Sequence, residues 1–258
     1  MRGEPQLSFL EWDSEFFGHR IARVESSAFE ERSAEDILRQ ARSESIECLY
    51  LLVDAASSES VRAAERLGFS LVDVRVTRDC TTHRENPGGL PEMIDLCREE
   101  DIANLVDIAR ESHRDSRFYH DPRFSDERCD DLYATWIENA CRGAAAGVVV
   151  LRDEGRAVGY ITCEIPQADL GVLGLVAIAD EKRGMGYGAR LFNGAMGWLA
   201  GQGCSRIRAV TQARNIAATR VYEANGFRTV SVENSYHLWL DGVDGVDGVD
   251  GLDGRGVQ

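Results

Sequence analysis

Three glycines, Gly184, Gly186 and Gly188, alternate in the segment Asp180-Glu-Lys-Arg-Gly-Met-Gly-Tyr-Gly-Ala-Arg-Leu191. The segment falls where an apolar run, Leu170–Ile178, gives way to helical spacing over Gly186–Gln202. Glycines let successive backbone N–H groups converge without a Cβ in the way, and the helix after them adds the partial positive charge of its N-terminus. The combination suits a pyrophosphate. Spacing separates the ligands that carry one. A dinucleotide GxGxxG frame fits with Ala189 in third place, yet it needs an acidic residue about 20 residues on, and Gly203–Ile207 supplies none. A Walker loop, GxxxxGK[ST], has no counterpart.

The next chemical segment is Asn215-Ile-Ala-Ala-Thr-Arg-Val-Tyr-Glu-Ala-Asn-Gly-Phe227. Helical spacing puts Asn215 and Tyr222 two turns apart on nearly the same face. A phenol can give a proton to a leaving group, and an asparagine at that place can cap the helix, hold a ligand, or do both.

The pattern R-x-x-G-x-G (Arg183, Gly186, Gly188) followed by N-x-x-A-x-x-x-Y-x-x-x-G-F resembles the GNAT acetyltransferase superfamily, in order and distance, over about 175–227. The broader likeness covers about 92–240. The resemblance implies an acyl-CoA N-acyltransferase fold that uses acetyl-CoA to acylate a primary amine. It implies a splayed strand pair, Leu170–Ile178 and Ser205–Thr211, with the pantetheine arm between them. The cofactor-binding residues would be Leu175, Val176, Ala177, Arg183, Gly184, Met185, Gly186, Tyr187, Gly188, Ala189 and Asn215. Tyr222 would be the general acid, with Asn215 beside it.

The phrases Trp12–Gly18, Ser116-Arg-Phe-Tyr, Tyr133–Gly143 and Val210–Ala218 resemble members acting on nucleotide-linked sugars. They imply the 4-amine of a dTDP-linked amino-dideoxy sugar as acceptor. In such enzymes the loop between the first two helices, here Glu111–Ser125, binds the acceptor. It carries Arg114, Arg117, Phe118, Tyr119, His120 and Arg123, and arginines beside aromatics could seat a diphosphate and its base. Arg117, Tyr119, His120 and Arg123 are the expected substrate contacts. The strand Leu170–Ile178 has no carboxylate after Asp169, so a water relay leads as general base, with Glu164, His120 and Asp121 as side-chain alternatives. His237 reads as structural. Another amine (an aminoglycoside, a polyamine, a protein N-terminus or lysine) stays open, as does an acyl-CoA-binding module without catalysis. The resemblance allows a homodimer.

These groups need a scaffold. Before the turn-rich stretch Thr81–Pro91, strands are expected near Ile21–Val24, Cys48–Val53 and Ser70–Thr77, with helices near Ala34–Ser43 and Ser57–Leu67. After it come a strand at Glu92–Leu96, helices over Glu99–Arg110 and to about Arg142, and a hairpin Gly147–Arg152/Ala157–Ile165 turning at Asp153-Glu154-Gly155. Strands Leu170–Ile178, Ser205–Thr211 and Arg228–Leu240 alternate with helices Gly186–Gln202 and Ile216–Asn225. This is α/β with a mixed sheet. The division is 1–80, a smaller partial GNAT-like α/β subdomain; 81–91, a linker; 92–240, the acetyltransferase domain; and 241–258, a disordered Asp/Gly-rich tail. The subdomain reading comes from an echo: Ala63-Ala-Glu-Arg-Leu-Gly-Phe69 parallels Val221–Phe227, with Ala64 where Tyr222 stands and no glycine-rich turn before it.

Composition bounds the partners. The formal net charge of -15 over 258 residues argues against nucleic acid and anionic membranes. Neither a membrane-spanning run nor a signal peptide is present, which predicts a cytoplasmic protein. The 7 cysteines have no CxxC pair, so reduced thiols and no metal site are expected.

Overall fold

The computed structural model describes residues 6–25, 29, 31–82 and 90–240. The expected tail, 241–258, and residues 83–89 of the expected linker lie outside the described residues. The chain runs β1 (Gln6–Phe9), α1 (Glu11–Phe17), β2 (Ile21–Glu25), α2 (Glu31–Ser43), β3 (Cys48–Asp54), α3 (Ser58–Arg66), β4 (Ser70–Thr81) and β5 (Ile94–Leu96). It continues α4 (Ile102–Arg110), α5 (Asp126–Asn139), β6 (Gly147–Asp153), β7 (Arg156–Gln167), β8 (Leu170–Ile178), α6 (Tyr187–Gly201), β9 (Arg206–Gln212), α7 (Ile216–Ala224) and β10 (Arg228–Trp239). The mixed α/β class and the alternation match the expectation. The opening pair β1 and α1 is additional, because four residues of QLSF carry too short a pattern to read.

Local chemistry explains the joints. Glu154 (φ 49°) and Gly155 (φ 81°) both take the left-handed turn that a two-residue hairpin between β6 and β7 requires. Ser57, Ser125 and Asn215 cap α3, α5 and α7, each accepting from a backbone N–H three residues on.

All ten described strands form one sheet, in the order β1-β2-β3-β10-β4-β9-β8-β7-β6-β5. Its centre is a palindrome. The units β2-α2-β3-α3-β4 and β8-α6-β9-α7-β10 each contain a parallel pair, β2 with β3 and β8 with β9. Each then sends its last strand across to the other unit: β10 lies against β3, β4 against β9, and the two run antiparallel side by side. The ends of α3 and α7 match in chemistry as well. Gly68 and Gly226 are left-handed, and the N–H groups of Phe69 and Phe227 donate to Ala64 O and Tyr222 O, both at 3.0 Å. The echo seen in the sequence is therefore a repeated unit in space. In the N-terminal unit Phe29 is buried in the same apolar cluster as Ala64, rings against Phe69, and donates its N–H to Ser60 Oγ.

Strand alternation sends Tyr50, Val148, Val150, Tyr160 and Ala177 to one face, under α4 and α5. Val149, Leu151, Ile161, Leu173 and Ala209 go to the other, under α6 and α7.

Candidate active site

The site begins where β8 leaves β9. The two pair only through Leu170–Leu173 against Arg206–Ala209. There β8 gains a residue over β7: the register jumps from Cys163↔Leu173 to Ile161↔Val176, so Gly174 and Leu175 together oppose Thr162. This is a β-bulge, which bends a strand and re-aims the residues beyond it. Thr162 Oγ1 accepts from Leu175 N at 2.8 Å, and a Cβ on residue 174 would lie 2.4 Å from that oxygen, so glycine is needed. On its other edge β9 pairs with β4 along its whole length, Arg206↔Thr81 to Gln212↔Arg75, so only the β8 edge opens.

The split opens into a cavity of about 570 Å³ that reaches both faces of the sheet. Leu175, Val176, Ala177, Arg183, Gly188, Asn215 and Tyr222 line it. Gly184, Met185, Gly186, Tyr187 and Ala189 form the turn and first helical residues just outside its wall. Gly184 (φ 76°) and Gly186 (φ 79°) are left-handed, and Gly186 caps α6. A Cβ on Gly184, Gly186 or Gly188 would meet nothing within 4 Å, so the turn is open around its glycines, and the first-turn N–H groups of α6 have no intrahelical partner. That cradle, the bulge and the split fit a coenzyme A arm ending in a pyrophosphate. Arg183 sits beside it, paired to Asp180 at 2.7 Å.

Asn215 Oδ1 accepts from Ala218 N at 2.9 Å, so the capping role is present, and its Nδ2 can still donate to a ligand. Tyr222 is buried against Phe192 and Phe227. Burial pushes its phenol up to about 12, and the nearby Arg78 guanidinium, from β4, opposes the rise.

On the α4–α5 face the cavity is walled by Glu111–Ser116, Tyr133 and Trp136. The four expected substrate contacts lie elsewhere. The Arg117 guanidinium stacks over the rings of Tyr50 and Phe118, 4.1 and 4.4 Å away, and donates to His237 Nε2 at 3.2 Å. Tyr119 Oη donates to Asp130, Arg123 lies over Trp239, and His120 is exposed. The three tethered ones anchor the loop. The side-chain alternatives for a base are also off the cavity: Glu164 is exposed, and Asp121 is buried, accepting from His237 Nδ1 at 2.6 Å and Trp239 Nε1 at 2.9 Å. Burial opposes the Asp121 charge, but those bonds outweigh it and hold the carboxyl below its ordinary value.

His113 was not legible in the sequence. It lines the cavity with φ 63°, stacks on Tyr133 (4.5 Å between centroids, 18° apart) and places Nε2 2.9 Å from Tyr160 Oη. No short-range signal ties residue 113 to residue 160.

Burial pushes both His113 and His237 down to about 4 in the fold. The unfolded chain, with imidazoles near the ordinary ~6.5, binds more protons between those values, so stability rises with pH across that window. The melting temperature is expected to fall as pH drops from about 6.5 towards 4, and His237→Gln to flatten that slope. A melting temperature constant over this range would refute it.

Residues 103–227 match the profile of the acetyltransferase (GNAT) family. The chain carries a GNAT acetyltransferase domain and is an acetyl-transferring enzyme. That family uses acetyl-CoA. The dTDP-fucosamine acetyltransferase of Escherichia coli O6:H1 is 28% identical over 90% of this chain and 95% of its own length. The spore coat polysaccharide biosynthesis protein SpsD of Bacillus subtilis (strain 168) is 27% identical over 54% of this chain, a match that spans only 48% of that protein. The solved GCN5-related N-acetyltransferase of Sphaerobacter thermophilus superposes with a TM-score of 0.61 at 16% identity, covering 92% of this chain and 76% of that one, and shows the shared fold. Among the described residues no group of three or more His, Cys, Asp or Glu side chains could hold a metal ion, no helix is long and apolar enough to cross a membrane, and no cysteine is in a disulfide.

Proposed function

We propose that the chain transfers the acetyl group of acetyl-CoA to the primary amine of a nucleotide-linked amino sugar, first of all the 4-amine of a dTDP-linked amino-dideoxy sugar. The observation that carries this reading is the cavity through the sheet, with the glycine cradle, Asn215 and Tyr222 at one end and an aromatic chamber of His113, Tyr133 and Trp136 at the other. Thioester and amine can thus meet from opposite faces. The likeness to a dTDP-fucosamine acetyltransferase over nearly its whole length supports the sugar class.

When bound, acetyl-CoA supplies an acetyl group activated as a thioester. Arg183 and the first-turn N–H groups of α6 hold its pyrophosphate, and β8 beyond the bulge offers backbone groups to the pantetheine arm. Holding both reactants across the split replaces a bimolecular encounter. The amine nitrogen attacks the carbonyl carbon, the C–S bond breaks, and Tyr222 gives its proton to the leaving sulfur. A phenol raised to about 12 is fully protonated at neutral pH and so always loaded. Aromatic walls suit a sugar face or a nucleobase.

The test is thiol release from acetyl-CoA across a panel of dTDP- and UDP-linked amino sugars. Turnover with a dTDP-linked 4-amino sugar, well above that with polyamines or aminoglycosides, is expected. Silence on every nucleotide sugar would overturn the acceptor class.

A further inference from the structure

The cavity brings the amine's end of the reaction next to several titratable groups. Glu111, His113, Arg114 and Asp115 come from the loop, Tyr133 from α5 and Arg183 from the glycine turn, while Tyr160 of β7 stands behind His113. Arg114 is committed to Asp130 at 2.9 Å and to the Tyr119 ring, and Glu111 is exposed. His113 differs in being fixed from two sides, by the stacked Tyr133 ring and by Tyr160 Oη. Its backbone is left-handed at φ 63°, a conformation that L side chains other than Asn, Asp and His rarely take. Tight clamping of an imidazole from two sides, on a cavity wall, is the pattern of a group held for use.

Resting on the acetyl-transfer reading, we propose that His113 is a catalytic residue that takes the proton of the attacking amine. With Nε2–H donated to Tyr160 Oη, the imidazole presents the lone pair of Nδ1. As the C–N bond forms, the amine proton passes to Nδ1. As the C–S bond breaks, the Tyr222 proton passes to sulfur. The products are the amide, free thiol, an imidazolium at His113 and a phenolate at Tyr222; a proton returned through solvent from one to the other restores both. No oxidant, metal or further reactant is needed.

The surroundings also link the base to the donor. Burial, and after it the charge of Arg183, holds the imidazole neutral, down at about 4. A pyrophosphate on Arg183 cancels that charge, so His113 becomes a stronger base when the acyl donor is in place. The acceptor's proton then has somewhere to go only in the ternary complex.

Asparagine tolerates the left-handed backbone, so His113→Asn is the informative substitution. At saturating acetyl-CoA and amine, kcat is expected to fall about 100-fold and its rising limb with pH to vanish, while the Kd for acetyl-CoA changes by less than about threefold. Asp115→Asn should keep the limb, and Tyr160→Phe, which removes only the orienting oxygen, should move it. A limb that persists in His113→Asn, or one lost in Asp115→Asn, overturns the proposal. A second readout needs no acceptor: the His113 imidazole, titrated by NMR in the wild type, should rise in pKa when coenzyme A is added, and a pKa that does not rise overturns it as well. Turnover by the wild type with an unchanged His113→Asn rate would leave acetyl transfer standing and remove only His113. Absence of turnover with any amine would instead strike the acetyl-transfer reading itself.

Discussion

Replacing Tyr222 with phenylalanine is expected to lower kcat by about two to three orders of magnitude while leaving acetyl-CoA binding nearly unchanged. The ring has a packing role that phenylalanine retains: it sits between Phe192 and Phe227, with centroids 5.5 Å from each, in the core between α6, α7 and the sheet. The substitution removes one oxygen from the cavity wall and little else. If the phenol protonates the departing sulfur, its loss falls on the transition state alone, so kcat and kcat/KM drop together and the Kd for acetyl-CoA does not. Arg78 refines the expectation. Its guanidinium, 3.8 Å from Glu223 Oε1 on the residue after Tyr222, is nearly buried and eases proton loss from the phenol. Arg78 belongs to β4, so the strand exchange at the sheet centre lets the N-terminal unit tune the C-terminal site. Steady-state rates with calorimetric binding of acetyl-CoA decide the matter: an unchanged kcat would take Tyr222 out of the acid role.

Local chemistry was legible in the sequence and long-range pairing was not. The glycine turn, the Asn215 cap and the Gly226-Phe227 helix ending depend on neighbours within a few residues, and their residue types announce them. The bulge at Gly174 is different. It needs Thr162 on another strand to satisfy Leu175 N, so no window around residue 174 reveals it. The same limit hid the seating of β10 between β3 and β4, set by register across most of the chain. In the Glu111–Ser125 loop, charge and aromaticity were readable but direction was not. Arg117 and Arg123 turn to Tyr50 and Trp239, residues of the N-terminal unit and of β10, and leave the cavity wall to Glu111–Ser116. Nothing in single-sequence spacing distinguishes an arginine that stacks inward from one that meets a phosphate.

That loop hangs from the end of α4, and α4 is pinned at its start by one buried ion pair. Asp101 accepts from Arg152 of β6 through both carboxylate oxygens, at 2.5 and 2.6 Å, and also from Arg98 N at 2.7 Å. Asp101 is 3% exposed and Arg152 13%. A bidentate pair with its geometry filled is stable as a unit, and the cost of breaking it comes from the partner left behind. Asp101→Ala leaves the nearly buried Arg152 with only the longer pairing to Asp95 Oδ2, at 3.7 Å, and removes the acceptor for Arg98 N. The expected loss is about 3–5 kcal/mol of folding stability, read as a lower urea midpoint at unchanged m-value. Replacing both partners with apolar residues of similar size should recover most of it, since desolvation of the charges is then avoided as well. A double-mutant cycle separates the two effects, and a single Asp101→Ala within about 0.5 kcal/mol of the wild type would show that the pair does not anchor α4. If the anchor holds, the His113 wall of the cavity depends on a contact outside the cavity itself: α4 ends at Arg110, and the left-handed turn that presents His113 comes directly after it.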